Sequence, residues 1–377
     1  MSDTQKDTKP NVPNLRFPGF EGEWESFALG QLCEEFQSGK GIKSDQIKDL
    51  GSYPVYGGNG LRGYTDSYNH EGVYTLIGRQ GAKCGNVRLV SGRTYITEHA
   101  VAVKANQANV TEFLNWLFIK MDLGQYSDQS AQPGLAVNKL VRLNAFVPKK
   151  EEQKRIADLM TLIDARIAIQ NKVIEDLNKL KIALENRLVD QSHGKPVPLG
   201  DILIERVEKS KERNQYEVLS STVSGIFSQR EYFNKEIASV DNTGYKVIRR
   251  GDVVLSPQNL WMGNINYNDQ FEIGLVSPSY KTFSISESFD EKYVAFMLKT
   301  KRALWRYSLV SEQGASIVRR NLNIDAFLEI TFPMPSLMEQ RRISSGISSL
   351  KNKISLEQRL LDKLYKQKVF FLNAMFI

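Results

Sequence analysis

Arg79, Gln80 and Lys83 sit within five residues of one another, bordered by Gly78, Gly81 and Gly85. Side chains of these types suit the reading of nucleotide bases better than the breaking of bonds. Arg and Lys match the acceptor pair of guanine, Asn and Gln match the donor and acceptor of adenine, and glycine lets a backbone approach closely. Gln132 and Asn138 follow in the stretch that leads into a long helical segment. Gln258, Asn259, Arg319, Arg320 and Asn321 form a comparable set in the second half of the chain. Phosphate contacts need only cations and amides, and Lys83 is expected to be of that kind.

Other chemistries find little support. Cys33 and Cys84 belong to no CxxC pair, and His70, His99 and His193 have no HExxH spacing, so neither a disulfide framework nor a metal site is expected. Ser277-Pro278-Ser279-Tyr280 lacks the second proline of the NPPY motif of adenine methyltransferases, no glycine-rich cofactor loop precedes it, and it reads as a turn. Glu152 and Lys154 lack the Pro-Asp dipeptide of a PD-(D/E)xK nuclease, and no GxxxxGK[ST] loop for ATP is present. No catalytic residue and no bound cofactor is assigned.

The elements that must carry the candidate residues come from a repeat. Pro148 opens PKKEEQKRI and Pro335 opens PSLMEQRRI, 187 residues later. Glu152, Gln153, Arg155 and Ile156 match Glu339, Gln340, Arg342 and Ile343. Both segments lack internal proline and space their apolar residues three and four apart, the pattern of a long amphipathic helix. About 39 residues give a rod of roughly 58 Å.

The seam of the first helix reads Ile167, Gln170, Ile174, Leu177, Lys181 and Leu184, and that of the second Ile354, Glu357, Leu361, Leu364, Lys368 and Phe371. Polar residues break both seams at matching places and must meet compatible partners. An antiparallel pair that sets Lys181 against Glu357 also puts Gln170 opposite Lys368. Ile167 then meets Phe371, Ile174 meets Leu364, Leu177 meets Leu361, and Leu184 meets Ile354. An antiparallel two-helix coiled coil is therefore expected.

Each helix follows a head of short strands, turns and some helix. Leu29-Gly30 and Leu199-Gly200 begin the two heads in the same way, and 109–122 and 290–307 read as helices in corresponding places. The expected class is α+β, two globular mixed α/β heads in pseudo-twofold arrangement separated by the coiled coil. The expected boundaries are a polar tail over 1–14, a first head over 15–147, a helix over 148–190, a second head over 191–334 and a second helix over 335–377.

Bulk composition agrees with a folded, soluble protein: 41% of residues are hydrophobic and 25% charged. No stretch is long and apolar enough for a membrane span, no secretion signal is readable, and the sparse cysteines suit a reducing cytoplasm. Fifty Lys and Arg against 43 Asp and Glu favour a polyanionic partner mildly. Charge alone would leave open a coiled-coil adaptor that joins two protein-binding heads without nucleic acid.

The order of head, EEQKRI helix, head and MEQRRI helix resembles the specificity subunit of type I restriction-modification enzymes over nearly the whole chain from Leu15. GGNG (57–60), IGRQG (77–81), GNV (85–87) and ITEHA (96–100) are similar to one class of that family's target-recognition domains, and RRGDVVLS (249–256) to a motif of the other head. The resemblance implies a non-catalytic subunit whose heads each read one half of a split site in double-stranded DNA. It also implies helices that set the spacing and dock two methyltransferase subunits, with two motor-nuclease subunits joining through that core. S-adenosylmethionine, ATP and Mg would be bound by those partners.

Overall fold

The computed structural model describes residues 11–81, 83–127, 134–187, 193–233, 241–313 and 320–377. Gln132 and Arg319 lie outside the described residues. The chain divides into two compact units, Met1–Asn171 with Arg359–Ile377, and Lys172–Gln358. Both divisions fall inside the long helices, so each unit owns one half of each helix.

In the first unit a six-stranded sheet runs in the order Cys33–Ser38, Ala100–Ala105, His70–Gly78, Val87–Ile96, Tyr53–Gly57, Gly60–Thr65. Neighbours are antiparallel except Tyr53–Gly57, which runs parallel to Val87–Ile96. The helix Thr111–Met121 lies against this sheet and buries Phe113, Leu114, Leu117 and Phe118. A separate two-stranded ribbon pairs Glu25–Ala28 with Asn144–Val147, just before the first long helix, Lys150–Glu185.

The second unit has a four-stranded sheet in the order Leu203–Glu205, Lys281–Ile285, Val253–Leu255, Ile265–Tyr267, with smaller ribbons beside it. Its ribbon Lys195–Pro198 with Thr331–Met334 again precedes a long helix, Leu337–Ala374. The expected helix over 290–307 is two helices, Glu291–Met297 and Lys301–Leu309. Thr300 ends the first continuity by capping the second, its hydroxyl accepting from Ala303 N.

The 187-residue repeat reaches further back than the matching letters. Val137–Leu140 corresponds to Ile324–Leu328, and the strand Asn144–Val147 to Thr331–Met334. Leu29 N–H donates to Leu143 O at 2.8 Å, and Leu199 N–H donates to Ile330 O at 2.9 Å. A Cβ on Gly30 would lie 3.1 Å from Val141 Cβ, and one on Gly200 3.5 Å from Leu328 Cβ. Both glycines thus admit the segment that leads to the long helix.

Within the first unit the helix halves run antiparallel. Leu15 N–H donates to Ala374 O at the end of the second helix, while the adjacent Arg16 holds Glu152 at the start of the first. Further along both, Lys368 Nζ lies 2.7 Å from Asp164. Ile156, Met160, Ile163, Ile167 and Gln170 are buried there, as are Leu361 and Leu364, with Phe371 half-buried. In the second unit Ile174, Leu177, Lys181, Leu184, Ile354 and Glu357 are half-buried.

The expected layer of Lys368 opposite Gln170 is corrected. Lys368 reaches Asp164, six residues earlier, with the Trp116 ring 4.9 Å from its ammonium. A carboxylate and an aromatic face hold an ammonium better than an amide can. Glu357 takes Lys353 on its own helix at 2.5 Å. In the second unit Lys181 and Glu185 act on Lys351.

Candidate nucleic-acid interface

In the first unit the buried strand His70–Gly78 delivers Arg79 at its end. The loop beyond it is closed by backbone bonds, Gly78 N–H to Asn86 O at 2.8 Å and Gly85 N–H to Gly78 O at 2.7 Å. Gly85 has φ +84°, and a Cβ there would stand 2.2 Å from Gly124 N. Cβ atoms on Gly78 and Gly58 would meet Lys83 O and His99 O at 2.6 Å. The glycine-rich fragments therefore pack backbone on backbone, bringing 57–60, 77–81, 85–87 and 96–100 into one cluster.

Arg79 is half-buried, and its Nη1 donates to Ser38 Oγ at 3.1 Å. Gln80 is exposed with its Oε1 3.1 Å from His99 Nδ1. Lys83 is exposed beside them. Gln80 bridges to Gly134, and Leu135 N–H donates to Arg79 O at 2.9 Å, so the segment before the long helix docks on the loop. Asn138 is exposed on the short helix Val137–Leu140 that follows.

The second unit builds a similar arrangement from other residues. The strand Val253–Leu255 ends in a loop closed by Ser256 N–H to Asn264 O at 2.9 Å and Asn264 N–H to Asn259 O at 3.2 Å. Arg320 N–H donates to Gln258 O at 3.1 Å, the counterpart of the bridge from Gln80 to Gly134. The Arg320 guanidinium lies 4.2 Å over the Trp261 ring, which fixes its plane. Among the described residues Arg320 Nε and Asn259 Oδ1 are buried without a hydrogen-bond partner, whereas Gln258 and Asn321 are exposed.

Ser38, His99 and Trp261 orient the candidate readers, and sequence reasoning missed all three. Their role depends on strands that meet only after folding. Arg62 and Arg88, both exposed, were missed too and frame the turn at Gly57 and Gly60. RRGDVVLS is a structural motif: buried Asp252 accepts from Arg249 N at 2.6 Å and pairs with Arg206 at 3.2 Å. Burial holds the Asp252 carboxyl above its ordinary range, and the backbone bond and Arg206 oppose that shift. Ser277–Tyr280 forms a turn, Tyr280 N–H donating to Ser277 O at 3.1 Å. Among the described residues no group of three His, Cys, Asp or Glu is placed to hold a metal ion, and no helix is long and apolar enough to cross a membrane.

Comparison with known proteins bears on the duplicated scaffold as a whole. The family model of the type I restriction modification DNA specificity domain matches residues 21–179 and again residues 196–366. The chain belongs to this family. It is a specificity subunit of a type I restriction-modification system, a subunit of DNA sequence recognition.

Among relatives of this specificity subunit, the EcoprrI specificity subunit of Escherichia coli is 40% identical over 154 residues. That match covers 40% of this chain and 38% of the relative, so it is local. A putative type I specificity subunit of Haemophilus influenzae is 20% identical over 354 residues, 87% of each chain. The crystal structure of the S subunit from M. genitalium superposes with a TM-score of 0.64 at 17% identity, over 97% of this chain and 99% of that one. This last likeness shows the shared fold.

Proposed function

We propose that the subunit reads a bipartite, asymmetric DNA site, one half through each unit. The first half-site meets Arg79, Gln80, Lys83, Gln132 and Asn138; the second meets Gln258, Asn259, Arg319, Arg320 and Asn321. The observation that carries this reading is the shared position of the two loops. Each follows a buried strand and each is bridged from the segment before a long helix, yet the side chains differ. One scaffold with two unlike reading edges suits a site with unlike halves.

The long helices, with the seam residues named above, set the spacing between half-sites and dock two methyltransferase subunits. Two motor-nuclease subunits join through that core. The chain itself performs no catalysis: S-adenosylmethionine, ATP and Mg act in the partners, and the assembly works in the cytoplasm.

Methylome sequencing of cells with and without this gene tests the proposal. A methylated motif of two defined halves around a fixed gap is expected, and it should vanish with the gene. A continuous motif would reject the bipartite reading. Binding of purified chain to duplex DNA that does not weaken between about 50 and 200 mM salt would favour a protein adaptor instead.

A further inference from the structure

A cleft of about 700 Å³ in the second unit is lined by none of the candidate readers named above. Its walls come from the first long helix (Lys181, Glu185), the second (Lys351) and the body of the unit (Asp269, Lys292, Lys299, Lys301). Five ammonium groups line it against two carboxylates. Among the described residues none of the five makes an ion pair.

Two of the lysines are held in place by neutral groups. Lys299 Nζ donates to Gly263 O at 2.8 Å and Val223 O at 3.1 Å, and Lys351 Nζ lies 4.4 Å from the centre of the Phe296 ring. Desolvation and the charge of Lys351 push Lys299 down to about 8. Desolvation lowers Lys351 as well, with Glu185 and Asp269 opposing and Lys181 adding to the shift. The protein thus fixes five ammoniums near one another from separate elements, with two carboxylates, Glu185 and Asp269, among the lining residues to balance them.

We propose that this cleft binds a phosphoanion, with Lys299 and Lys351 as its principal contacts. A multiply charged group neutralises several ammoniums at once, which a single carboxylate cannot do. The volume suits a small ligand as large as a nucleoside triphosphate. Ligand held there would tie the two helix segments of this unit to its body. The same chemistry is carried by free phosphates and by the DNA backbone.

Amine-selective labelling of the full chain at pH 8, read by peptide mass spectrometry, tests the proposal. The probes are sodium pyrophosphate, ATP without Mg, and a short random-sequence duplex. With ligand at about ten times its dissociation constant, labelling of Lys299 and Lys351 should fall about tenfold. Lys353, outside the cleft, should label as before. Protection by pyrophosphate or ATP assigns the site to free phosphoanions, and protection by the duplex alone assigns it to backbone phosphate. Absence of protection with all three probes, or equal protection at Lys353, overturns the proposal. As a second measurement, pyrophosphate should raise the Tm of the wild type and leave that of Lys299→Gln/Lys351→Gln unmoved. An equal rise in both would also overturn it.

Discussion

Gln153 accepts a hydrogen bond from the Val110 amide at 3.0 Å, and Val110 is the N-cap of the helix Thr111–Met121. The same side chain donates to Pro148 O at 2.9 Å and Asn109 Oδ1 at 2.8 Å. Gln340 repeats the device, accepting from the amide of the N-cap Asp290 at 2.9 Å and donating to Pro335 O at 2.8 Å. Both glutamines are buried. The repeated glutamine of the sequence is therefore a latch that locks the start of each long helix to the shorter helix of its own unit.

Removing this latch should be expensive. Gln153→Ala strands the Val110 amide and the Pro148 carbonyl in a buried setting, with an expected loss of about 2–3 kcal/mol. Gln340→Ala should lose somewhat less, having one bond fewer. Urea unfolding followed by circular dichroism measures both. A loss below about 0.5 kcal/mol for Gln153→Ala would show that the latch is dispensable.

Arg16 and Glu152 form a two-pronged ion pair, with Nε to Oε1 and Nη2 to Oε2 both at 2.7 Å. The Glu152 side chain is only 2% exposed, so Arg16→Ala leaves a buried carboxylate without its cation. The expected destabilisation is about 2–4 kcal/mol. Arg16→Ala combined with Glu152→Gln should recover part of it in thermal unfolding, since the uncompensated charge is gone.

Asp164 and Lys368 connect the opposed helix halves of the first unit. Both are partly exposed, so a double-mutant cycle with Asp164→Ala and Lys368→Ala should give a coupling of about 0.5–1 kcal/mol. A coupling of zero would argue that the two side chains do not meet in solution.

Glu208 lies between Arg249 at 2.9 Å and Arg206 at 3.2 Å. The Arg249 hydrogen bond, countered by desolvation and reinforced by Arg206, holds its carboxyl below the usual range. A lowered folded value means that the stabilisation is complete above the unfolded value, near 4.3, and disappears as pH falls through the folded one. Solvent screens this partly exposed group, so Glu208→Gln should lose only about 0.5–1 kcal/mol at pH 7. The difference from wild type, followed by Tm, should shrink as pH falls below the unfolded value.

Arg79→Ala and Arg320→Ala should each relax recognition at one base position, a discrimination of about 1–3 kcal/mol. Lys83→Ala should weaken all duplexes alike and reduce the salt slope by about one. Methylation patterns of cells carrying each variant read the outcome. An unchanged motif with both arginine variants would remove these residues from the reading edge.

Spacing alone revealed the duplication, the two long helices and the glycine-bordered position of Arg79 and Gln80, because helix period and glycine steric freedom are local properties. Leu29-Gly30 and Leu199-Gly200 were legible as matching starts for the same reason. The partner of Lys368 was not. Pairing seam letters favoured Gln170, whereas the fold brings Asp164 and Trp116 to the ammonium from another turn and another helix. The supports of the candidate loops, Ser38, His99 and Trp261, likewise depend on strands far apart in the chain. The sequence alone showed which residue types suit base reading and where glycine borders them; tertiary packing decided which groups hold them, because long-range contacts follow from the burial of whole elements and leave no periodic mark in the chain.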